Sequence, residues 1–553
     1  MRIPSDPLQR DSFYQDVIRH CAVSRPERAA NYRRWERWYE LGTEGGTRAR
    51  YNMLAAYVDR ATAYVYSQDT TRFACKLPRH LQEQWAPHAE LARDVFSDLW
   101  HGSDSDLQVG QAIEYAYPFG ATILKTVTWP SLALYYLDPA DFGVITEHCP
   151  RLSDQEAVVH WFTATNYEMD RYLSGGPGRP PHPRKDIIMA SLEGTVTPGT
   201  AEDGNGIPAA MGTVIVSALN PLVSVTGNAM VGPNSGIPEP QVDIPLTELA
   251  ELWIWDDARD DYRCVTYLES AGLTIWERLN PTLPDELPFT KVCPFPHKKY
   301  FWGRVDIEKQ MPLQEWRELL MTRIDDLLKR QLKPPKALIG FPGITDEKAQ
   351  ALNRSGGILT SNSPGGRVEN LRPEMPPDAF AEVHQIDFMS GETGGLPAVL
   401  QGQGDAGVRA GQQANVMATL ASARPRKRAF IVEDQIEEAA TKLFRVQRRM
   451  DETVYALPDG REFLLAHLPP ETSMQISAHT ASPLYQEATE RKADKLLKAG
   501  AIDKPTYVEL IDPPMSDAIR ARARVLEKAQ AQAREQMLRA RHEEQMAKAT
   551  KKK

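Results

Sequence analysis

Residues 300–345 read YFWGRVDIEKQMPLQEWRELLMTRIDDLLKRQLKPPKALIGFPGIT and predict a long helix that ends in a proline-rich turn. The apolar residues of this segment fall at mostly helical spacing: Ile307, Met311, Trp316, Leu320, Ile324, Leu327 and Leu328. A helix over 304–331 would be about 42 Å long. Because Pro312 lies inside that range, the helix either bends at Pro312 or starts there, and a start there leaves about 30 Å.

The segments that follow this helix are short and rich in glycine. The turn and the excursion after it contain too much glycine and proline, over too few residues, to form a domain core. A second short helix, a glycine-rich loop and another long helix come next. A long helix, a small excursion, a return helix and a flexible loop suggest a spine with a tip, repeated around a ring.

Length and charge limit the classes of protein that fit. The chain has 553 residues, of which 42% are hydrophobic and 25% charged, which is enough for a sizeable core and for two to four domains. The formal net charge of −9 argues against a tight grip on nucleic acid, because tight binding needs Lys and Arg to neutralise phosphates. The same charge is compatible with a protein that lets DNA slide past.

Cysteine usage and the N-terminus indicate a reducing compartment. No CxxC pair occurs among the five widely spaced cysteines, so neither a zinc site nor a disulfide framework is expected: Cys21, Cys75, Cys149, Cys264 and Cys293. The first residues lack the apolar core of a signal peptide, and no run of 18 apolar residues predicts a membrane span.

The first half of the chain changes from a helical to an alternating pattern. Helices are predicted at 11–39, 52–66 and 86–117, the last of them stopped by Pro118 and Gly120. Strands are predicted at 121–129, 132–137 and 157–163, and a three-stranded antiparallel meander at 249–255, 262–268 and 272–277. Between them, 174–245 reads as a long irregular insertion with two short strands, at 212–218 and 222–225.

The second half of the chain is mainly helical. Pro425 should kink or interrupt the long helix predicted at 412–450. Residues 471–480 alternate as a lone strand, and 482–553 are predicted to be helical, with Ser482 as an N-cap and Gly500 as a C-cap.

One sequence motif raises the question of an enzyme. Residues 402–407 read GQGDAG and match GxGxxG ahead of a helix. A dinucleotide site needs a buried strand before the glycines and an acidic residue about 20 positions later, and the apolar run here is short and broken by Pro397. A flexible loop is the alternative, because closely spaced glycines supply conformational freedom. No Walker A, HExxH or GxSxG motif occurs.

Acidic pairs and histidines add no active site. Asp256 and Asp257, like Asp325 and Asp326, are predicted to lie on solvated faces, because adjacent side chains point in different directions. The twelve histidines form no group at metal-ligand spacing.

Basic residues concentrate near the two ends of the long helix. One cluster surrounds Pro425, and three more arginines fall in the last turns of that helix: Arg424, Arg426, Lys427 and Arg428, then Arg445, Arg448 and Arg449. They either lie on solvated faces near a helix terminus or contact phosphate or an acidic neighbouring subunit. The end of the chain from Ser516 onward is also basic, and either a disordered tail or an end that faces DNA would explain it.

The order of these elements resembles the portal protein of tailed bacteriophages, the ring at the capsid vertex through which DNA passes. The aromatic-glycine segment at 301–307 and the Pro-Gly-Ile-Thr at 342–345 are especially similar to the short-tailed-phage branch of that family. The resemblance covers 52–515 and rests on order and pattern rather than on one signature. Pro425 and the insertion at 174–245 depart from the family pattern.

The resemblance implies a mixed α+β, portal-type fold with an α/β wing, a long helical stem, a small clip, a Gly-rich tunnel loop and a helical C-terminal crown. The implied segments are the wing (1–302, with the irregular insertion 174–245), the first stem helix (303–331), the clip (332–376), the second stem helix (377–390), the tunnel loop (391–411), the long tunnel-side helix (412–450), the wing return strand (451–481), and the crown with the basic helical C-terminus (482–553).

Function and partners are likewise implied by the resemblance. The chain would form a homo-oligomeric, twelve-fold ring at one capsid vertex of the virion, assembled in the host cytoplasm. The ring would be the channel for packaging and ejection of double-stranded DNA. It would attach the terminase packaging motor and the head-tail adaptor, and contact the major capsid and scaffold proteins, with no membrane partner. No enzymatic activity, cofactor or metal is implied.

Candidate residues follow from this assignment. The tunnel loop that lines the channel would contain Gly391, Gly394, Gly395, Gln401, Gly402, Gly404, Gly407 and Arg409. DNA or inter-subunit contacts would involve Arg424, Arg426, Lys427 and Arg428. The clip interface would contain Lys333, Lys336, Arg354 and Arg367, and stem packing would use Trp316, Leu320, Ile324 and Leu327. The alternatives are a nucleotide-binding enzyme that uses 402–407, and a helical scaffold or adaptor without a channel.

Overall fold

The computed structural model describes residues 1–44, 51–67, 71–128, 131–174, 246–332, 336–339, 367–370, 376–395, 423–457, 461–476 and 493–511, with a few single positions between these ranges. Over these residues the chain is a mixed α+β protein, as predicted. It divides into two compact units. Unit one comprises Met1–Ala29, Arg60–Arg304 and Pro425–Lys553, and unit two comprises Ala30–Asp59 and Val305–Arg424.

The described helices are α1 (Pro7–Ala22), α2 (Arg25–Leu41), α3 (Met53–Val65), α4 (Gln82–Gly102), α5 (Ser105–Phe119), α6 (Asn166–Leu173), α7 (Met311–Leu332), α8 (Ala379–Gly394), α9 (Ala423–Met450) and α10 (Lys504–Ile511). The described strands are β1 (Phe73–Lys76), β2 (Thr122–Val127), β3 (Ala133–Leu137), β4 (Phe142–Val144), β5 (Ala157–Thr165), β6 (Leu246–Asp256), β7 (Asp261–Leu268), β8 (Leu273–Leu279), β9 (Phe289–Val292), β10 (Lys336–Ile339), β11 (Arg367–Asn370), β12 (Tyr455–Ala456), β13 (Glu462–Phe463) and β14 (Ser473–Ile476).

A five-stranded antiparallel sheet of order β4-β5-β6-β7-β8 forms the centre of unit one. The predicted meander is confirmed as β6, β7 and β8. One face of the sheet packs against α1, where Tyr14 and Ile18 meet Val159, Leu252 and Val265. The other face packs against a second sheet, so β6 is buried on both faces and reads as a nearly continuous apolar run.

The second sheet of unit one has the order β3-β2-β9 and is also antiparallel. Its Phe289 and Ile123 lie in one cluster with Trp253 of the larger sheet. The chain reaches β2 through Gly120, which ends α5 at a φ of +85°. A side chain there would meet the Trp302 carbonyl oxygen at 2.7 Å, so only glycine fits, as the predicted helix stop implied.

Helix α9 is the longest described helix, and its apolar stripe is buried at Val432, Ile436 and Leu443. The Thr441 hydroxyl donates to the Met474 carbonyl (3.1 Å) and accepts from the Met474 amide (3.2 Å), so α9 positions β14. Strand β14 pairs antiparallel with β1, far away in sequence. The predicted lone strand at 471–480 therefore has a partner in unit one.

Unit two is built on the antiparallel helices α7 and α8, with parts of α2 and α3 beside them. Ile324 of α7 packs against Ala379 and Val383 of α8, and Leu320 and Met321 flank this contact. Strands β10 and β11 form a two-stranded antiparallel sheet within the region predicted as the clip. Most other positions of that region, among them Lys333 and Arg354, lie outside the described residues.

Several predicted boundaries shift in the structure. Helix α7 begins at Met311 rather than at residue 303, because Pro312 fits the first turn of a helix but not its interior. The predicted helix at 11–39 is two helices, α1 and α2, and the one at 86–117 is α4 and α5. Residues 30–59, within the segment predicted as the wing, belong to unit two.

Pro425 lies in the first turn of α9 as described, so within 423–450 it does not interrupt the helix. Gly500 has a φ of +70°, as expected for the predicted C-cap. Residues 412–422, the predicted strands at 212–218 and 222–225, and nearly all of the chain after residue 511 lie outside the described residues. Among the helices that are described, none has the length and hydropathy needed to cross a membrane.

Candidate functional site

The junction at one end of the α7/α8 pair is a hydrogen-bonded site within unit two. Gln310 precedes α7, and its amide donates to the Ser390 carbonyl (3.0 Å) while its oxygen accepts from the Ser390 hydroxyl (2.9 Å). The Tyr57 hydroxyl donates to the Gly394 carbonyl (3.1 Å) and contacts the buried Asp306 carboxylate. These bonds fix the start of α7 beside the end of α8.

A second set of contacts holds α7 to the segment before α3. Gln314 is fully buried, and its amide donates to the Tyr51 carbonyl (3.0 Å) while its oxygen accepts from the Met53 amide (2.9 Å). The Arg317 guanidinium lies over the Tyr51 ring, 4.4 Å from its centroid, and bonds Asp387 of α8 at 2.8 Å. These contacts tie both helices to the segment before α3 within unit two.

Six large apolar side chains of this helix pair are exposed. Of the predicted stem-packing residues, Ile324 is 3% exposed and Leu320 and Leu327 are half-buried, whereas Trp316 is 40% exposed. Large apolar side chains with at least 40% exposure on α7 and α8 are Trp316, Leu319, Leu328, Leu332, Phe380 and Phe388. These side chains are available to pack against another surface.

A groove of about 630 Å³ lies between α2 and α7 and the segments that flank them, entirely within unit two. We call it the acidic groove. Trp38, Met311 and Leu319 are among its apolar residues, and one arginine and four glutamates also line it: Arg34, Glu44, Glu308, Glu315 and Glu318. Arg34 pairs with Glu44 at 3.3 Å, so the remaining groove carries a net negative charge.

Three of the predicted channel glycines are described. Gly391 and Gly394 lie in the last turn of α8 and not in a loop, and Gly395, with a φ of +73°, caps that helix. A side chain at Gly394 would meet the Tyr57 ring at 2.3 Å, so this glycine serves the close packing of the junction. The other channel candidates lie outside the described residues, namely Gln401, Gly402, Gly404, Gly407 and Arg409.

The predicted basic cluster does not act as one group. In unit two, the exposed Arg424 donates to the Glu392 carbonyl at the end of α8 (2.8 Å). In unit one, the Arg428 guanidinium lies over the Phe295 ring, 4.5 Å from its centroid. Arg426 is half-buried, and Lys427 is exposed. Lys427 and Arg424 are therefore the two exposed cations of the first turns of α9.

The three arginines near the end of α9 bind within their own chain. Arg445 pairs with Glu286 (2.7 Å), Arg448 donates to the Pro469 carbonyl (2.7 Å) and Arg449 donates to the Thr282 carbonyl (2.7 Å). They tie α9 to neighbouring loops of unit one. This structural use differs from both of the roles considered for them from the sequence.

The described clip residues are Lys336 and Arg367. Lys336 opens β10 opposite Asn370, and Arg367 opens β11 opposite Ile339. Arg367 is exposed and pairs with Glu369 at 3.0 Å. Both basic residues thus lie on one two-stranded sheet, at opposite ends of the paired strands.

A buried charged cluster in unit one was not predicted from the sequence. The Lys125 ammonium of β2 bonds the Glu251 carboxylate of β6 at 2.7 Å and lies 3.5 Å from Nδ1 of His160 of β5. Trp253 donates to the other Glu251 oxygen at 2.7 Å. Lys125 and Glu251 are each about 5% exposed or less, so the cluster joins the two sheets in the protein interior.

The environment of this cluster sets its protonation. Burial and the neighbouring Lys125 ammonium lower the pKa of His160 to about 3, so its imidazole is neutral. Burial opposes ionisation of Glu251, but Lys125 and the hydrogen bonds outweigh it and lower the pKa of Glu251 to about 2. The only sequence signals were a lysine inside ILKTV and a glutamate inside ELAELWIWD, each in an otherwise apolar strand.

The two adjacent carboxylate pairs were predicted to be solvated, and one of them contains a buried residue. Asp256 is 2% exposed and pairs with Arg263, so the prediction was wrong for this residue. Asp325 and Asp326 lie on α7 next to Lys329. Within the described parts of the chain, no group of His, Cys, Asp and Glu is arranged to hold a metal ion.

No protein-family model matches the chain, and no curated protein sequence matches it.

Proposed function

We propose that this chain is the subunit of a portal ring, the channel at one capsid vertex for packaging and ejection of double-stranded DNA. In this role it is not an enzyme. The ring is an oligomer of about twelve copies that attaches the packaging motor and the tail adaptor. The proposal rests on the order of elements along the sequence, together with the surface that unit two exposes.

The observation that carries the proposal is the set of exposed large apolar side chains on the α7/α8 pair. Leu332 is 82% exposed, Phe388 61% and Phe380 51%. Large apolar side chains that stay exposed in one copy gain from burial against another, because apolar surface in contact with water is costly. Packing between copies around a ring would bury these side chains.

The net charge of the chain is compatible with a channel for DNA. Each chain carries a net charge of −9, so twelve copies carry 12 × −9, roughly −108, and repel DNA at long range. Since every phosphate contact resists sliding, weak binding suits a channel through which DNA must move.

The test is direct imaging of the purified full chain by negative-stain electron microscopy, with the mass measured by native mass spectrometry. A ring with a central hole and the mass of about twelve chains is the expected result. A monomer at micromolar concentration would overturn the proposal. A compact oligomer without a hole would favour the helical scaffold or adaptor instead.

A further inference from the structure

The acidic groove of unit two has features that the proposed ring leaves unexplained. Its lining combines apolar side chains, among them Trp38, Met311 and Leu319, with four glutamates against one arginine. Glu308 and Glu315 are exposed at this groove, and Glu308 accepts a hydrogen bond from Trp35 at 3.2 Å. Apolar surface surrounded by negative charge fits a cationic segment that carries an apolar side chain.

Two buried polar atoms in the groove lining also point to an absent partner. Among the described residues, neither the Trp38 indole nitrogen nor the Glu318 Oε2 oxygen has a hydrogen-bond partner. Trp38 is 6% exposed. Buried polar groups without partners are rare and costly in folded chains, so a site that holds two of them is incomplete as it stands.

The first turns of α9 present the complementary chemistry. Arg424 and Lys427 are exposed one turn apart, and Phe430 is 42% exposed one turn further along. Two cations next to an aromatic ring match the charge and the apolar character of the acidic groove.

Within unit two, the groove and Arg424 are both connected to one end of the α7/α8 pair. The groove residues of α7 follow Gln310, which bonds Ser390 near the end of α8, and Arg424 bonds the Glu392 carbonyl at that end. A ring brings one surface of each copy against a different surface of the next, so a groove and a helix start of opposite charge can meet between neighbours.

We propose that the acidic groove of one copy receives the first turns of α9 of the next copy, with Glu315 and Lys427 as a central ion pair. The contact is heterologous, because two different surfaces of the chain meet across it. This inference rests on the proposed ring and assigns part of its interface.

The experiment uses charge reversal in the full chain, with assembly followed by native mass spectrometry across a concentration series. Glu315→Lys and Lys427→Glu should each raise the concentration needed for half-assembly about tenfold, because each places like charges across the contact. The double variant E315K/K427E restores an opposite pair, and its assembly should return to within about threefold of the unaltered chain.

Matched controls separate this contact from net charge. Glu452→Lys and Lys298→Glu change the charge by the same amounts at exposed positions outside the groove, and both should assemble as the unaltered chain does. Thermal melting by circular dichroism confirms that each variant is folded.

Rings that form equally well from E315K and K427E, or a double variant no better than the single ones, would overturn this inference and leave the proposed function intact. Absence of any ring from the unaltered chain would overturn the proposed function itself.

Discussion

At the scale of single residues, the buried Lys125–Glu251–His160 cluster makes the stability of unit one depend on pH. His160 has a pKa near 3 in the folded chain against 6.5 when exposed, so only the unfolded chain gains its proton between these values. Stability from His160 is therefore complete above pH 6.5 and is lost as the pH falls towards 3. Glu251, with its pKa lowered from 4.5 to about 2, adds a further loss below pH 4.5.

Substitution of His160 tests this linkage. His160→Gln removes the titration, so the variant's free energy of unfolding should fall less steeply than that of the unaltered chain between pH 6.5 and 4.5. The slopes should differ by up to about 1.4 kcal/mol per pH unit. Urea unfolding at a series of pH values measures both slopes.

The difference in slope between the His160 variant and the unaltered chain is the quantity to compare, because a second buried group changes stability with pH in the opposite direction. Burial, helped by Asp138, raises the pKa of Asp141 from 3.8 to about 6, so its contribution falls as the pH rises through that window. This contribution is common to both proteins and cancels. The exposed His148 provides the control, and equal slopes for His160→Gln and His148→Gln would contradict the assignment.

The backbone at Gly303 has a conformation and surroundings that favour glycine. It has a φ of +74°, and a side chain there would meet the Cys293 sulfur at 2.5 Å and the Gly120 carbonyl at 3.0 Å. Gly303→Ala should lower the free energy of unfolding by about 2–4 kcal/mol, as strain and overlap add. Gly272 has a φ of +64° with no contact closer than 3.7 Å, so Gly272→Ala should cost only about 1 kcal/mol. Similar losses for both variants in urea unfolding would show that crowding contributes little.

At the scale of elements, α7 shows which structural features the sequence pattern predicts and which it does not. Helical spacing predicted the helix, and Pro312 predicted two possible starts, of which the start at Met311 is found. The spacing could not say which apolar residues face α8 and which face outward. Ile324 and Trp316 both belong to the helically spaced apolar residues of α7. Ile324 is 3% exposed, however, whereas Trp316 is 40% exposed. Only the position of α8 decides between them, and periodicity within one helix does not contain it.

Strand pairing has the same limit. The antiparallel meander β6–β8 was predictable because its strands are neighbours in sequence with short turns. The pairing of β1 with β14 and the meeting of Lys125 with Glu251 join segments far apart in the chain. A lone alternating segment or a single charge in an apolar strand gives no sign of its partner.

Two neighbouring positions of α7 should respond differently to a charge. Trp316→Glu should weaken assembly and lower the stability of the dissociated chain less than Leu320→Glu does, because the Trp316 side chain is already 40% exposed. Leu320→Glu should also lower that stability, by about 2 kcal/mol or more, because Leu320 packs against the Ile324 contact with α8. Sedimentation velocity measures assembly and urea unfolding measures stability. Normal assembly of the Trp316 variant would argue against packing of this face between copies.

At the scale of the whole molecule, net charge and local charge have separate roles. The chain as a whole is acidic, while the start of α9 is basic, and the sequence left two uses for that cluster open. The surroundings of Arg424 and Arg428, a helix-end carbonyl and an aromatic ring, belong to the protein itself. These contacts favour a structural role for the two arginines over a role in holding DNA.

The salt dependence of DNA binding distinguishes the two roles considered for the basic cluster, contact with DNA and contact with a neighbouring copy. If Lys427 and Arg424 contacted phosphate, Lys427→Gln with Arg424→Gln would reduce the slope of log K against log salt by about 0.9 for each lost contact. We expect the slope of nonspecific DNA binding to stay unchanged and the ring to dissociate at lower salt, because in the proposed contact Lys427 pairs with the Glu315 carboxylate of the next copy. DNA binding is measured by fluorescence anisotropy from 50 to 200 mM salt, and ring mass in parallel, with Lys298→Gln as the control. A reduced slope with an unchanged ring would place these residues in the channel instead.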